Sequence, residues 1–378
     1  MIRTDLLIID DILPSSFSPF RTIEYEHYLR FFGAHLVSLE GWRPFVGPTT
    51  FDQELAALPI APELKARIHP SGDLQAVTAR VAYMTFLRMA ELSLPWLEER
   101  QLPFILQLYP GGAFQLHQPR SDEVLRRVIA SPLLRRIIVT QQPTRAYLLE
   151  QLGCQPERIE HIYGGVFESR GGFDLLRDKR LYPRDKETLD VCFVAHRYAD
   201  NLTAKGYDLF VAVARGLVEA GHANVRFHVV GDYRADHIPL GRIADRFSFH
   251  GVQPSEFFEG FYAGMDLIVS LNRPFDIRPG VFDGFPTGAC IEAGLHGVVN
   301  CINDPLDSNP GLVDGRDLIL LDFDIDRAVG ILDDLLAHPS RLYQIAYTGW
   351  RRYHVLFDTD RQLWARSKVI LDALREAD

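Results

Sequence analysis

The 378-residue sequence lacks a membrane-spanning pattern. No apolar run reaches the roughly 18 residues that cross a bilayer. The N-terminal run MIRTDLLIIDDILP is interrupted by two aspartates and has no small-residue cleavage site. We therefore interpret it as a first strand and not as a signal peptide, and we expect no transmembrane segment, while peripheral contact with a membrane surface stays open.

Disulfide and nucleic-acid signals are also missing. The four cysteines, Cys154, Cys192, Cys290 and Cys301, show neither C-x-x-C spacing nor a disulfide pattern, which is typical of reduced thiols in a cytoplasmic protein. The formal net charge of −10 argues against a nucleic-acid partner held by a broad basic surface. A local basic pocket for a small anion remains compatible with this charge.

Several catalytic signatures are absent as well. No G-x-G-x-x-G follows the first strand, and the chain has no G-x-x-x-x-G-K-[ST], no H-E-x-x-H and no G-x-S-x-G. These absences argue against the usual dinucleotide-binding fold, P-loop nucleotide hydrolases, zinc metalloproteases and α/β-hydrolases. Any ligand site must therefore be built from other groups.

What the sequence does show is a near-continuous alternation of strand and helix patterns, which predicts α/β architecture with mainly parallel sheets. Because the chain is too long for one ordinary core, we expect two domains. The glycine-paired, charged stretch from Gly164 to Asp190 marks the boundary. We predict domains at 1–165 and 189–354, a linker at 166–188, and a C-terminal helix at 355–378.

Two local predictions concern the first domain. Residues 18–32 have helical spacing with Ser18 as N-cap, and their expected buried stripe is Phe20, Ile23, Tyr28, Phe31 and Phe32. Residues 74–100 are predicted as one long amphipathic segment with a break at Pro95.

The stretch DGFPTGACIEAGLHGVVN, from Asp283 to Asn300, combines a turn with a helix of small residues. Pro286 suits a first helical turn, and unpaired backbone N–H groups around Thr287, Gly288 and Ala289 would hold an anion. Glu292 follows roughly 6–10 Å along the axis, where a carboxylate can bind ribose hydroxyls. The plain alternative is a surface glutamate on a structural helix.

Two cations stand in the segment AHRYADNLTAKGYDLF, between a buried strand and a helix. Ligands of open α/β sheets bind at the carboxyl ends of strands. Arg197 and Lys205 could neutralise a diphosphate there, the first through a fork and the second as a point charge. The plain alternative is two exposed loop cations.

The acidic run DFDID, from Asp322 to Asp326, has the D-x-D spacing that some transferases use for a divalent cation. Its late position favours a different role, in which Asp324 or Asp326 caps the following helix. We therefore predict no metal site.

Together these segments resemble the C-terminal domain of retaining GT-B glycosyltransferases of the family-4 type. HRYADNLTAKGYDLF is similar to that family's GR…KG loop, and DGFPTGACIEAGLHGVVN is similar to its EGF…EA…G.PV helix. GVQPSEFFEGFYAGMDLIVSL resembles the segment between them, and IYGGV resembles the usual exit from the N-terminal domain. The resemblance covers residues 136 to 355 well and the first 135 poorly.

The resemblance implies an α/β protein with the GT-B fold, in which two Rossmann-like domains face a cleft. The first domain would take the acceptor and the second the nucleotide-sugar, and the C-terminal helix at 355–378 would cross back to the first domain. It implies a metal-independent, retaining hexosyltransferase that uses a UDP- or GDP-sugar and no cofactor, of bacterial type, in cell-surface glycan or secondary-metabolite glycosylation. The acceptor, whether glycan, lipid-linked or small molecule, is left open.

The family motifs also assign site residues. The catalytic set would be Arg197, Lys205 and Asp283, and the donor-binding set would be Phe285, Pro286, Thr287, Gly288, Glu292, Gly111 and Gly112. The family's first glutamate, eight positions before the second, falls on Gly284, so either Asp283 or Gly284 occupies that place. The family's N-terminal histidine is missing, and LYPGGAFQLH supplies Gly111, Gly112 and His117 instead.

Two alternatives stay open. One is a nucleotide-sugar epimerase on the same fold, which needs no acceptor. The other is a non-catalytic nucleotide-sugar-binding protein. Its best support is the departure at Gly284 and the one in the loop after the first strand, where LPSSFSPF replaces the family's Gly-Gly turn.

Overall fold

The computed structural model describes residues 2–16, 18–42, 47–169, 172–198, 200–309 and 311–377. The chain forms two compact units, of which unit 1 comprises Met1–Glu168 and Asp358–Asp378 and unit 2 comprises Ser169–Phe357. Most of the segment predicted as a linker is therefore part of unit 2. Residues 170 and 171 of that segment, and residue 199 of the later loop, lie outside the described residues.

Unit 1 is built on seven parallel strands in the order β3-β2-β1-β4-β5-β6-β7. Its elements in chain order are β1 (Ile2–Asp10), α1 (Pro19–Phe31), β2 (His35–Ser38), α2 (Phe51–Ala57), α3 (Pro62–Lys65), β3 (Ile68–His69), β4 (Val77–Thr85), α4 (Leu87–Glu99), β5 (Phe104–Leu108), α5 (Pro119–Ala130), β6 (Leu134–Val139), α6 (Gln142–Glu150) and β7 (Ile159–His161).

Unit 2 is built on six parallel strands in the order β10-β9-β8-β11-β12-β13. Its elements are α7 (Leu175–Asp178), β8 (Leu189–Val194), α8 (Tyr207–Glu219), β9 (Val225–Val230), β10 (Phe247–Gly251), α9 (Ser255–Gly264), β11 (Leu267–Ser270), α10 (Gly288–Leu295), β12 (Val299–Ile302), β13 (Ile319–Leu320), α11 (Ile325–Ala337) and α12 (Pro339–Leu356). The last helix, α13 (Thr359–Glu376), belongs to unit 1.

Two local predictions for unit 1 are wrong. Residues 74–100 contain β4 and α4 and not one continuous segment, and Pro95 lies inside α4 without ending it. In α1 the buried side chains are Arg21, Glu24, Tyr25, Tyr28 and Leu29, whereas Phe31 is 53% exposed. Of the predicted stripe only Tyr28 is buried, and the Ser18 side chain makes no cap hydrogen bond.

The polar face of α1 is buried because its charged side chains have ion-pair and hydrogen-bond partners. Arg21 pairs with Asp10 at 2.8 Å. The Glu24 carboxylate accepts hydrogen bonds from Tyr28 at 3.1 Å and from the Gln107 amide at 3.0 Å. Since a buried charge is stable only when it is paired, these contacts decide which face of the helix packs inward.

Helix α13 is held in unit 1 by Arg366, which is fully buried. Its guanidinium donates to Gln107 Oε1 at 2.6 Å, to Gln362 Oε1 at 2.6 Å and to the Gly164 carbonyl at 2.9 Å, and lies 3.8 Å from the Glu24 carboxylate. One side chain therefore connects α13 to the strand β5 and to the loop after β7.

Among the described residues, no helix has the length and apolar character needed to cross a membrane.

Candidate functional site

The candidate site of unit 2 lies where its strand order reverses, between β8 and β11. The loop after β8 carries Arg197 and Lys205, and the loop after β11 carries the turn from Asp283 to Thr287. In open α/β sheets this switch point is where ligands bind. Both sequence segments thus meet at one position of the sheet.

Gly206 allows the two loops to approach each other. It adopts φ +76°, and a Cβ there would lie 2.2 Å from the Leu271 carbonyl oxygen. Lys205, the preceding residue, forms a 2.6 Å salt bridge with Asp283. Its ammonium group also lies 5.1 Å from the centre of the Tyr198 ring. The structure therefore brings together two of the three predicted catalytic residues.

Arg197 is engaged elsewhere. Its guanidinium donates to the Asp232 carboxylate at 2.6 Å, to the Asp232 carbonyl at 2.7 Å and to Asp200 at 3.0 Å. The hydrogen bond from Arg197 lowers the pKa of Asp232 below its ordinary value. An anion at this loop would have to compete with these carboxylates for Arg197.

Helix α10 begins at Gly288, with Thr287 as N-cap in an extended conformation. Pro286 therefore precedes the N-cap, and its predicted place in the first turn is wrong. The Thr287 carbonyl already accepts from the Ile291 N–H at 2.9 Å, which defines the start of the helix. The first-turn donors are those of Gly288, Ala289 and Cys290, in an orientation suited to an anion.

Glu292 lies on the second turn of α10 and is half-buried. Burial alone raises the pKa of its carboxyl to about 7. None of the residues that the structure describes donates a hydrogen bond to this carboxylate, and its backbone carbonyl accepts from His296 at 2.7 Å. A desolvated carboxyl without a hydrogen-bond partner destabilises a helix that is only structural. In a binding site the same carboxyl can accept hydrogen bonds from the hydroxyl groups of a ligand.

A pocket adjoins this turn. It is lined by residues of the loop after β11, by Thr287 and Cys290 of the helix start, and by the loop after β12 from Asn303 to Ser308. Phe285 and Pro286 are buried in its wall. Four of the predicted site residues, Asp283, Phe285, Pro286 and Thr287, thus share one cavity.

The acidic run after β13 has a structural role. The Asp324 side chain accepts from the Arg327 N–H at 3.1 Å and is the N-cap of α11, which confirms the predicted cap. Asp322 pairs with the Arg327 side chain at 2.9 Å. In the part of the chain that the structure describes, no group of three or more His, Cys, Asp or Glu side chains could hold a metal ion.

Gly111 and Gly112 lie in unit 1, in the loop after β5. Both have positive φ, +91° and +53°, and a Cβ on Gly112 would lie 2.4 Å from the Phe86 side chain. Position 112 therefore requires glycine, because a side chain there would collide with Phe86. Further along the loop, the His117 N–H donates to the Tyr147 hydroxyl at 2.8 Å.

Three residues of the site were missed from the sequence: Tyr198, Asp232 and Asn303. Asp232 follows the buried strand β9 in the run VRFHVVGD, and an acidic residue at a strand's carboxyl end was a usable signal. Asn303 stands in the same relation to β12. Tyr198 gave no signal beyond its position between the two cations.

No protein-family model matches the sequence, and no curated protein matches it either. Solved structures do match over nearly the whole chain. HepE from Anabaena, in complex with UDP and glucose, has a TM-score of 0.66 at 14% identity, over 98% of this chain and 100% of that one. A glycosyltransferase from Rickettsia africae has a TM-score of 0.69 at 13% identity, over 98% and 99%.

Sucrose-phosphate synthase from Thermosynechococcus elongatus matches with a TM-score of 0.66 at 12% identity, over 98% of this chain and 100% of that one. The chain has the GT-B fold. The predicted fold class, two Rossmann-like sheets in an α/β protein, is confirmed. Within this GT-B fold, the candidate site lies at the switch point of the second, C-terminal sheet.

Proposed function

We propose that this chain is a glycosyltransferase that moves a sugar from a UDP- or GDP-sugar to an acceptor hydroxyl, with retention at the anomeric carbon and without a metal ion. The observation that carries the proposal is the Lys205–Asp283 pair, 2.6 Å long, beside the first-turn N–H groups of α10, which donate to none of the described residues. The crystallised complexes of HepE with UDP, with UDP and glucose, and with UDP-glucose support a nucleotide-sugar donor.

In this proposal the diphosphate binds at the start of α10, where backbone donors and the helix dipole favour an anion. Glu292 accepts hydrogen bonds from the ribose hydroxyls, and this gives its unpartnered carboxylate a function. Phe285 to Gly288 border the phosphates and the sugar. Gly111 and Gly112 stay in the proposed donor-binding set on the sequence motif alone.

The chemical step needs stabilisation of the departing diphosphate. The bond between the anomeric carbon and the phosphate oxygen breaks, and a bond to the acceptor oxygen forms on the same face of the ring. The acceptor proton passes to the departing phosphate oxygen. Lys205, Arg197 and the helix N-terminus would balance the developing negative charge, with Asp283 releasing Lys205 to the ligand.

Release of free nucleoside diphosphate tests the proposal. The full chain is incubated with UDP- and GDP-sugars, with and without a panel of saccharide, lipid-linked and phenolic acceptors. We expect acceptor-dependent release of UDP or GDP and, by NMR, a product with the donor's anomeric configuration. A new epimer of the donor formed without acceptor would indicate an epimerase. Nucleotide binding with no turnover across the panel would indicate a binding protein.

A further inference from the structure

We propose that unit 1 docks on an anionic lipid surface through an exposed aromatic and basic patch where α1 meets α13. The patch consists of Phe31, Arg361, Trp364 and Lys368, and we call it the Trp364 patch. The inference goes beyond the proposed function and does not depend on it, because the patch belongs to unit 1 and the candidate site belongs to unit 2.

Two aromatic rings meet on the surface of unit 1. Trp364 is 61% exposed and Phe31 is 53% exposed, and their ring centroids lie 6.4 Å apart in an edge-to-face arrangement. One ring belongs to α13 and the other to α1, so the apolar surface extends across both helices. Large aromatic side chains are normally buried, and a cluster of them in contact with water is typical of an interaction surface.

The Phe31 ring is held by neighbouring contacts. His27 stacks on it with ring centroids 5.4 Å apart, and the His27 Nε2 lies 3.0 Å from the Ser367 hydroxyl oxygen. Phe32 packs edge-to-face against the same ring at 5.0 Å. Because the contact between His27 and Ser367 joins α1 to α13, this part of the patch is already ordered and loses little side-chain freedom on binding.

Two cations flank the tryptophan on α13. Arg361 lies three positions before Trp364 and Lys368 four positions after it, and this spacing places the three side chains on one side of the helix. Both cations are exposed, and Lys368 forms no ion pair or hydrogen bond within the part of the chain that the structure describes. An indole at the level of the lipid headgroups, with long basic side chains reaching the phosphates, is typical of proteins at a membrane surface.

The carboxylates of the two helices leave the patch with a surplus of positive charge. Glu26 pairs with Arg30 at 2.8 Å, and Asp372 pairs with Arg375 at 3.2 Å, while Asp360 lies in the first turn of α13. The formal net charge of −10 acts weakly here, because charges more than about 10 Å away are largely screened at ordinary ionic strength. The local cations therefore favour an anionic lipid surface over a neutral one.

Cosedimentation of the full chain with lipid vesicles tests the inference. The probes are vesicles of phosphatidylcholine alone and vesicles that also contain phosphatidylglycerol. We expect binding to the phosphatidylglycerol vesicles that weakens as salt is added, and little binding to phosphatidylcholine alone. Lys368→Gln should weaken this binding roughly fivefold, and Trp364→Ser should weaken it roughly tenfold.

Tyr347→Ser and Arg351→Gln are the matched controls. Tyr347 is an exposed aromatic side chain on α12 of unit 2, and its ring centre lies 5.9 Å from the Arg351 guanidinium. These variants therefore remove the same kinds of group from another surface, and they should bind vesicles as wild type does. Equal losses in the control and patch variants would overturn the inference.

Tryptophan fluorescence gives a second measurement on the wild-type chain. Of the four tryptophans, Trp364 is exposed, whereas Trp42 and Trp96 are buried and Trp350 is half-buried. Phosphatidylglycerol vesicles should shift the emission to shorter wavelength, and brominated lipid should quench it. Trp364→Phe keeps an aromatic ring in the patch, so it should bind without the shift. A shift that persists in Trp364→Phe would place the lipid contact elsewhere and overturn the inference.

Other results would overturn it as well. They are absence of wild-type binding to either kind of vesicle, equal binding to neutral and anionic vesicles, and equal binding of wild type and Trp364→Ser. Sedimentation velocity tests a different occupant, since a dimer that Trp364→Ser dissociates would assign the patch to a second copy of the chain. None of these results bears on nucleoside diphosphate release, so failure of this inference leaves the proposed function standing.

Discussion

The Lys205 side chain is held by a carboxylate that an anionic ligand could replace. Its ammonium group is paired with Asp283 at 2.6 Å, and only 12% of its side chain is exposed. The pairing satisfies a mostly buried cation while no ligand is bound, and a diphosphate with a larger negative charge can take the place of the carboxylate. Arg197, held by Asp200 and Asp232, is in the same situation.

Lys205→Ala should therefore weaken UDP or GDP roughly 10- to 100-fold and leave the nucleoside unaffected, because a charge-assisted hydrogen bond contributes about 1.5–3 kcal/mol. Arg197→Ala should act in the same direction. Isothermal titration with diphosphate and nucleoside measures both. Arg242→Ala is the control, since Arg242 forms an exposed pair with Glu219. Equal losses for nucleoside and diphosphate would contradict the assignment.

Glu292 should discriminate ribose from deoxyribose. If its carboxylate accepts from both ribose hydroxyls, wild type should bind a 2′-deoxynucleotide roughly tenfold more weakly than the ribonucleotide. Glu292→Gln keeps the shape but replaces one acceptor with a donor, so the preference should shrink. Isothermal titration of wild type and Glu292→Gln, each with the ribonucleotide and the 2′-deoxynucleotide, measures this preference. Equal binding of both nucleotides to wild type would assign Glu292 to the surface of a structural helix.

The same carboxyl predicts a pH dependence of stability. Burial raises its pKa from 4.5 to about 7, so between these values the folded state keeps a proton that the unfolded state has lost. Raising the pH through this window therefore destabilises the wild-type fold. Glu292→Gln lacks the effect, so it should gain on the order of 1–3 kcal/mol relative to wild type at pH 8 and little at pH 4.5.

Urea unfolding of both proteins at the two pH values measures this difference. A constant difference across the range would mean that the carboxyl is solvated and that its pKa is ordinary.

At the scale of the element, periodicity predicts most helices but fails where charges are buried. The pattern of α1 favours Phe31 inside, yet Glu24 and Arg21 lie inside because Gln107 and Asp10 reach them from neighbouring strands. Those partners are 83 and 11 positions away, and no local window contains them. The start of α10 shows a smaller error, since Pro286 precedes the helix by two positions.

Helix α13 should depend on its one buried cation. Arg366→Met removes the guanidinium that lies 3.8 Å from the Glu24 carboxylate and leaves that negative charge buried in unit 1, at a cost of about 3–5 kcal/mol. Arg375→Met on the same helix is the control, because Arg375 is 77% exposed in its pair with Asp372, and it should cost under about 0.5 kcal/mol. Chemical unfolding measures both. Similar effects of the two variants would show that the buried network adds nothing.

At the scale of the whole molecule, the alternation of strands and helices is enough to predict two parallel sheets, because each buried strand is a short apolar run. The segments that meet at the switch point were also predictable, since each follows a strand of the second sheet. Asn303 was not, because its place in the wall of the pocket depends on its amide nitrogen donating to the Asn272 carbonyl. This contact between two distant loops is visible only in the folded structure.

Metal independence is the prediction that concerns the proposed activity of the whole chain. If Lys205, Arg197 and the start of α10 together hold the diphosphate, EDTA should leave turnover of the nucleotide-sugar intact, within about twofold. The measurement is nucleoside diphosphate release with EDTA, and again with added manganese. Asp324 caps α11, so Asp322→Ala combined with Asp324→Ala should lower stability by about 0.5–2 kcal/mol without abolishing turnover. Activity lost in EDTA, restored by manganese and absent in the double variant would instead make the acidic run a metal site.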